Sequence, residues 1–348
     1  MKAFSVYGTI ALTAAAVVAA NAEGNQQVLV VTASNTTNNQ LLVYDTTARV
    51  VQTVSTKGQG GATGNAGGIA AQGNLLAVVN FGSQSVSMFG RADNAFQLRQ
   101  LVATSSSPLS VAFGHNHLYV LGTTKVESHR LFGSDVSASP DGVVSLLKAD
   151  GSSAQVGIVG NVLIVTEKSN VIETAALTGD GAVTGVATLA QNIPANVNAP
   201  FGLVTRGDNA YVTIAHADEI SLVRNAKVLT TTPTSSFPGP VQHAPCWLTL
   251  DGPFLYSSNS PSMTISRYAV YGQKITPDLA VAASLNGAPT DIDSGAGLVA
   301  VIDGNGPLSH LSVFQTDEDG NLTLRGAATI ASAANGVAIV GAASKQDD

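Results

Sequence analysis

The sequence predicts an all-β protein, a seven-bladed β-propeller with four-stranded blades whose ring is closed by the N- and C-terminal strands in one blade. Three observations lead there. A twelve-residue pattern recurs at steps of 42, 45, 47, 45, 44 and 45 residues. Each copy reads as an apolar strand, a tight polar or glycine turn and a second β-rich strand, which is the opening half of a propeller blade. Finally, the pattern is out of phase at the two ends, where a second strand lacks its first and a first strand lacks its second.

The copies run in order: IAAQGNLLAVVN (69–80), VAFGHNHLYVLG (111–122), VGIVGNVLIVTE (156–167), LVTRGDNAYVTI (203–214), LTLDGPFLYSSN (248–259) and IDSGAGLVAVID (292–303). A seventh begins at Val337 as VAIVGA. After each comes a third strand of alternating character, as in Ser85-Val86-Ser87-Met88-Phe89 or Thr264-Ile265-Ser266-Arg267-Tyr268, because a period of two places one face inward. A fourth follows, as in Leu98–Val102 or Leu322–Ala327. Val28–Thr32 is the orphan second strand, so the strand at 337–341 is expected innermost in the blade that Val28–Thr32 begins. That pairing joins the ends and removes an exposed sheet edge. No helical pattern competes, and a β-sandwich does not explain so regular a period.

The 348 residues carry a net charge of −7, only 11% charged residues and 45% hydrophobic ones. No basic cluster suggests nucleic acid, and the hydrophobic content argues against disorder. Lys2, the apolar stretch Ile10–Ala20 and the small-x-small site Ala20-Asn21-Ala22 predict a signal peptide over 1–22,. The propeller is then expected over 23–343, with a short tail over 344–348, in a secreted, extracellular protein. The apolar stretch is too short to span a bilayer, which takes about 18 residues, so no membrane insertion is expected. The single cysteine excludes an internal disulfide,. Asn35 and Asn321 head glycosylation sequons, relevant in a eukaryotic host,.

In a propeller the loop entering each first strand and the loop leaving each second strand lie on one face, at the mouth of the central channel. The entry positions include Gln155, Phe201, Cys246-Trp247, Asp291 and Asn335; the exits include Asn80, Glu167, Asn259 and Asp303. Lys168 and His216 stand just past two exits. The ring varies from copy to copy and is polar, as a ligand site would be. Each member taken alone is equally compatible with a turn cap. Glu167, Asp291 and His216 are the candidate general acids or bases. Asn80, Gln155, Lys168, Phe201, Trp247, Asn259, Asp303 and Asn335 are the candidate ligand contacts. Glu167 and Lys168 could pair, or form a surface ion pair. Asp291 and Asp303 could bind a cation or share a proton, but no further oxygen-ligand spacing follows, and neither metal nor cofactor is expected. His115 and His117 fall in a turn on the opposite face, without a third zinc ligand,. In HAPCWLTLDGPFLYSSNS (243–260), Cys246 follows His243 by three residues, yet it occupies a repeat slot and reads as a small apolar wall residue rather than a nucleophile,.

The strings Thr166-Glu167-Lys168, Ala199-Pro200-Phe201-Gly202, Ala244-Pro245-Cys246-Trp247, Ala288-Pro289-Thr290-Asp291 and Ala334-Asn335-Gly336 together resemble the secreted branch of the lactonase-like seven-bladed propellers, over about residues 26–342. That superfamily includes phosphogluconolactonases and carboxymuconate lactonising enzymes. The resemblance implies opening or closing of a lactone ring by His, Arg and Glu residues at the channel mouth. Glu167 and Asp291 match the branch pattern. The acid expected near the end of Tyr211-Val212-Thr213-Ile214 is missing, and Arg206, Arg224 and Arg267 fall in turns or outer strands. Two functions therefore stand side by side. One is a lactone hydrolase or lactonising enzyme; the other is a non-catalytic propeller that binds a small molecule, a glycan or a protein. The expected partner is a small-molecule or carbohydrate ligand, with the protein acting as a monomer.

Overall fold

In the computed structural model the described residues are 26–193 and 198–341. The expected leader over 1–22 and the tail over 344–348 lie outside them. Seven sheets stand around an axis, six of them paired in sequence order from the innermost strand outward. The innermost strands of blades 2 to 7 are Ile69–Gln72, Pro108–Gly114, Ser153–Val159, Pro200–Arg206, Pro245–Asp251 and Ala288–Gly295. Blade 1 is composite. Its innermost strand is Asn335–Val340, paired antiparallel with Leu29–Ala33 so that Val31 faces Ala338, followed by Gln40–Tyr44 and Val50–Ser55. The predicted ring closure is therefore present. Blade 3 is the irregular one: its third strand, Lys125–Phe132, pairs both with a two-residue return, Asp135–Val136, and with Gly142–Ser145.

The second strands read as near-continuous apolar runs because both faces of every blade are covered. In Leu75–Asn80, Leu76 and Val78 pack toward blade 1, whereas Ala77 and Val79 pack toward blade 3. Each junction between neighbouring blades holds its own apolar cluster. Tyr119, Val156 and Leu163 are in the junction of blades 3 and 4; Leu222, Leu248 and Tyr268 are in that of blades 5 and 6. Stability is thus distributed around the ring, and removing several methyl groups from one buried leucine costs about 2–5 kcal/mol. The glycine of the repeat has a local cause. Gly73, Gly160, Gly207 and Gly252 sit at the tight turn between first and second strands with φ of 54–56°, a left-handed conformation that side chains disfavour.

The innermost strands begin about three residues earlier than the sequence pattern suggests, at Pro108, Pro200 and Pro245 among others. Proline is tolerated because the inner edge has no further strand to receive its missing N–H. The pairing then slips, between Pro108 and Ser110, Ser153 and Gln155, Pro200 and Leu203, Pro245 and Trp247, and Pro289 and Asp291. A β-bulge therefore recurs at the entry end of the inner strands and re-aims the side chains beside it.

Candidate functional site

The free edge of seven inner strands turns N–H and C=O groups toward the axis, and buried ones need partners. Side chains from the preceding blade supply several. The Val156 N–H donates to Ser110 Oγ (3.3 Å), the Leu203 N–H to Gln155 Oε1 (2.6 Å) and the Val337 N–H to Asp291 Oδ2 (3.3 Å). Further along the strand, the Ile339 N–H donates to Asp293 Oδ2 (2.8 Å). Where two backbones meet directly the residue is small. A Cβ on Gly202 would stand 2.2 Å from the Cys246 carbonyl oxygen. Thr213 Oγ1 donates to that same carbonyl (3.0 Å).

The entry end of the channel is covered. The segment 58–68, GQGGATGNAGG, connects blade 1 to blade 2 and crosses the axis. Asn65 Nδ2 donates to the Leu109 carbonyl (2.6 Å), and the amides of Asn65 and Asn335 bond each other (2.8 and 3.2 Å). The Ala66 N–H donates to the Ala154 carbonyl (3.1 Å). The Trp247 indole N–H donates to the Asn65 carbonyl (3.1 Å), and Lys168 Nζ to that of Gly64. Two adjacent residues thus touch blades 1, 3, 4 and 6, which only a plug over the axis can do. Asn65 and Ala66 are buried, while Thr63 and Gly64 are exposed above them. Asn35 latches the plug, its Oδ1 accepting the N–H groups of Gly61 (2.6 Å) and Ala62 (3.0 Å) and its Nδ2 donating to the Ala62 carbonyl (2.9 Å).

Several sequence-derived candidates meet at this plug. Trp247 packs edge-on against Phe201, with centroids 5.1 Å apart, and Lys168 Nζ lies 5.7 Å from the centroid of the Phe201 ring. Burial lowers the Lys168 pKa. Gln155 and Asp291 line the cavity below. Burial pushes the Asp291 carboxyl up to about 7, with Asp293 adding to it, against the hydrogen bonds it accepts from backbone N–H groups.

Other candidates stand apart from the cavity. Glu167 is fully buried at the end of its strand, one oxygen accepting from Ser152 Oγ (3.0 Å) and the other without a partner among the described residues. Burial pushes it up to about 8, with Ser152 and Lys168 acting in the opposite direction. Asn80 accepts from Asn39 and Thr56 and donates to Ser87 (2.7 Å). Asn259 donates to Ser266 (2.7 Å) and Thr264 (3.1 Å). Asp303 is fully buried against His310 Nδ1 (2.8 Å). These exit residues hold strands and loops together within or between blades. His216 is exposed in the 3-10 turn Ala215–Ala217. His243 bonds Asp218 (2.9 Å), and Cys246 is buried with its thiol pushed up to about 12 by burial, conditions that leave it unreactive,. Of the sequon residues, Asn35 is the plug latch; Asn321 Nδ2 donates to Asp317 Oδ2 (2.9 Å), and its Oδ1 accepts from Arg267 (3.0 Å). Among the described residues no three His, Cys, Asp or Glu side chains converge as a metal site, and no helix is long and apolar enough to cross a membrane.

Below the plug the channel is a cavity of about 400 Å³, bounded at its closed end by Gly67 and Trp247. It continues through Val204, Thr205, Thr249, Asp293 and Ser294 into a second cavity of about 470 Å³ on the opposite face, edged by Arg206 and Gly252. Sequence reasoning found the ring of entry positions but not Asn65, whose partners lie up to 270 residues away. Its one available signal was a glycine-rich stretch with no strand pattern just before the first repeat.

No protein-family model matches this chain, and no curated protein does. Solved structures match over most of its length. Two "putative 6-phosphogluconolactonases" are among them. That of Bacteroides fragilis is 12% identical, with a TM-score of 0.61 over 92% of this chain and 99% of its own. That of Bacteroides uniformis is 13% identical, with a TM-score of 0.64 over 91% and 100%. A functionally unknown protein from Desulfotomaculum acetoxidans is 11% identical, with a TM-score of 0.66 over 91% and 100%. At such identities the likeness is one of fold, and the fold shared is the seven-bladed β-propeller.

Proposed function

We propose that the chain is a secreted propeller that binds a small molecule in its central cavity. One observation carries this reading: the channel is closed at the entry face by the Asn65 plug and continues, below it, into an open cavity. Its volume is in the range of small-molecule sites, roughly 300–1,000 Å³. At the entry face, Lys168, Trp247 and Asn335 already bond the plug, and Gln155 and Asp291 accept backbone N–H groups. The test is a thermal-shift screen with a chemically mixed panel of small molecules, repeated on Ala70→Leu, which fills the cavity wall. Binders whose effect vanishes in that variant support the reading; a panel without one sinks it. Export is supported by the Lys2, Ile10–Ala20 and Ala20-Asn21-Ala22 pattern, and N-terminal sequencing of protein from the culture medium should begin at Glu23.

Lactone hydrolysis is the second reading, and Asp291 is the observation that favours it. Its carboxyl lines the cavity with a pKa near 7, the range in which a general base works best at neutral pH,. Hydrolysis of a lactone panel followed by pH-stat, lost in Asp291→Asn, would establish it. No turnover on any ring size, with cavity binding intact, would leave the binding reading alone.

A further inference from the structure

We infer that the cavity is entered from the face opposite the plug, and that its open end takes a small uncharged polyol of about monosaccharide size. This rests on the cavity-binding reading above and adds the direction of entry and the ligand class.

The direction follows from the plug. Asn65 and Ala66 tie four other blades together across the axis at the entry face, and they are buried under Thr63 and Gly64. At the other end the inner strands finish in tight turns, and the two cavities merge there. No comparable crossing segment bonds across the axis there among the described residues.

The class follows from the chemistry of the open end. Thr205, Thr249 and Ser294 bring hydroxyls from three successive blades, each able to donate and accept,. Thr249 and Ser294 already touch (2.7 Å), and Ser294 Oγ donates to the Leu250 carbonyl (2.7 Å), so the two are held in fixed orientation. Asp293 contributes acceptors and Arg206 donors, one of which is engaged by the Gly252 carbonyl. The two opposite charges balance at the lip. Across the ring at the same level the wall is apolar, at Phe113, Ile158 and Ile339, as it is deeper in at Val111, Val156 and Val337; beyond the lip Asp291 is the one charged side chain lining the cavity among the described residues. An anion passing the lip would lose its water beside the Asp291 carboxyl with no lysine or arginine there to pair it, an unfavourable desolvation,. A cation would face the Arg206 guanidinium on entry. A neutral ring carrying hydroxyls on its edge and C–H groups on its faces matches both halves of the lining. The combined hydroxyl, carboxylate and guanidinium set offers both donors and acceptors, as such a ring requires,.

The test is isothermal titration calorimetry of the full mature chain with glucose, galactose and myo-inositol, against gluconate and glucosamine as anionic and cationic probes of the same size. At least one neutral probe should bind, and Asp293→Asn and Ser294→Ala should each weaken it by about tenfold, the effect of one lost hydrogen bond. Thr63→Ala, above the plug, should change it by no more than about twofold, as expected of a surface substitution. Should Asp293→Asn fail to fold, since its Oδ2 holds the Ile339 N–H, Ser294→Ala decides alone. Gluconate or glucosamine binding as tightly as the neutral probes overturns the class. Binding indifferent to Ser294→Ala, or weakened by Thr63→Ala, overturns the direction. If none of these probes binds while other compounds bind in a manner sensitive to Ala70→Leu, the polyol assignment falls and the cavity reading stands; if nothing binds, both fall.

Discussion

Replacing Glu167 with glutamine should flatten the dependence of stability on pH. The carboxyl is fully buried, and burial raises its pKa from 4.5 to about 8. In the unfolded chain it ionises near its ordinary value. Between those two pH values the folded state therefore holds a proton that the unfolded state has released, and stability falls as pH rises. The contribution is fully present below about pH 4 and is lost on the way to pH 8. Each pH unit in that window removes about 1.4 kcal/mol, so the step from pH 5 to pH 8 removes on the order of 4 kcal/mol. Asp291, raised from 3.8 to about 7, acts in the same direction over a lower window. The carboxylates with lowered pKa values, such as Asp45, are ionised in both states above pH 5 and do not contribute there. Urea unfolding at pH 5, 6, 7 and 8, followed by circular dichroism, measures the slope. The native chain should lose several kcal/mol across the series, and Glu167→Gln should lose about 4 kcal/mol less. Parallel curves for the two proteins would refute the argument, because they would mean that Glu167 ionises alike in both states.

Three further outcomes follow from the geometry. Asn65→Ala removes the amide pair with Asn335 and the bond to the Leu109 carbonyl; it should cost about 1–3 kcal/mol and red-shift the emission of Trp247, the only tryptophan, as the plug loosens. Gly202→Ala would set a Cβ 2.2 Å from the Cys246 carbonyl oxygen, and a lowered urea midpoint equivalent to about 3 kcal/mol is expected; an unchanged midpoint would contradict the close approach of the two strands. Cys246 should give no reaction with a thiol reagent at pH 8 in the native protein and react fully in denaturant, since burial holds its thiol protonated,.

The fold was legible because a propeller is a local motif repeated, and each copy from Ile69 to Val337 carries its own strand–turn–strand signal. Strand starts were less so. Pro108, Pro200 and Pro245 lie three residues ahead of the repeated block, yet they begin inner strands whose axial edge needs no N–H,. The ring of entry positions was also visible, but the occupation of its side chains was not. Gln155 serves the N–H of Leu203, 48 residues on, and Asn335 serves Asn65. Polar residues at strand ends look the same in a sequence whether they await a ligand or a neighbouring backbone. Nor does the sequence reveal which end of the channel is open, because the plug is a stretch of mostly glycine and alanine around Asn65, whose partners belong to distant blades.

The composite blade has a consequence for how the chain comes to be folded. Leu29–Ala33 finds its inner neighbour only in Asn335–Val340, about 300 residues later. Six blades can assemble from local contacts as they are synthesised. The seventh waits for Asn335–Val340, and loop closure over such a span is slow,. Until then the nascent chain is an open arc with two unpaired edges, unable to lock into its native ring.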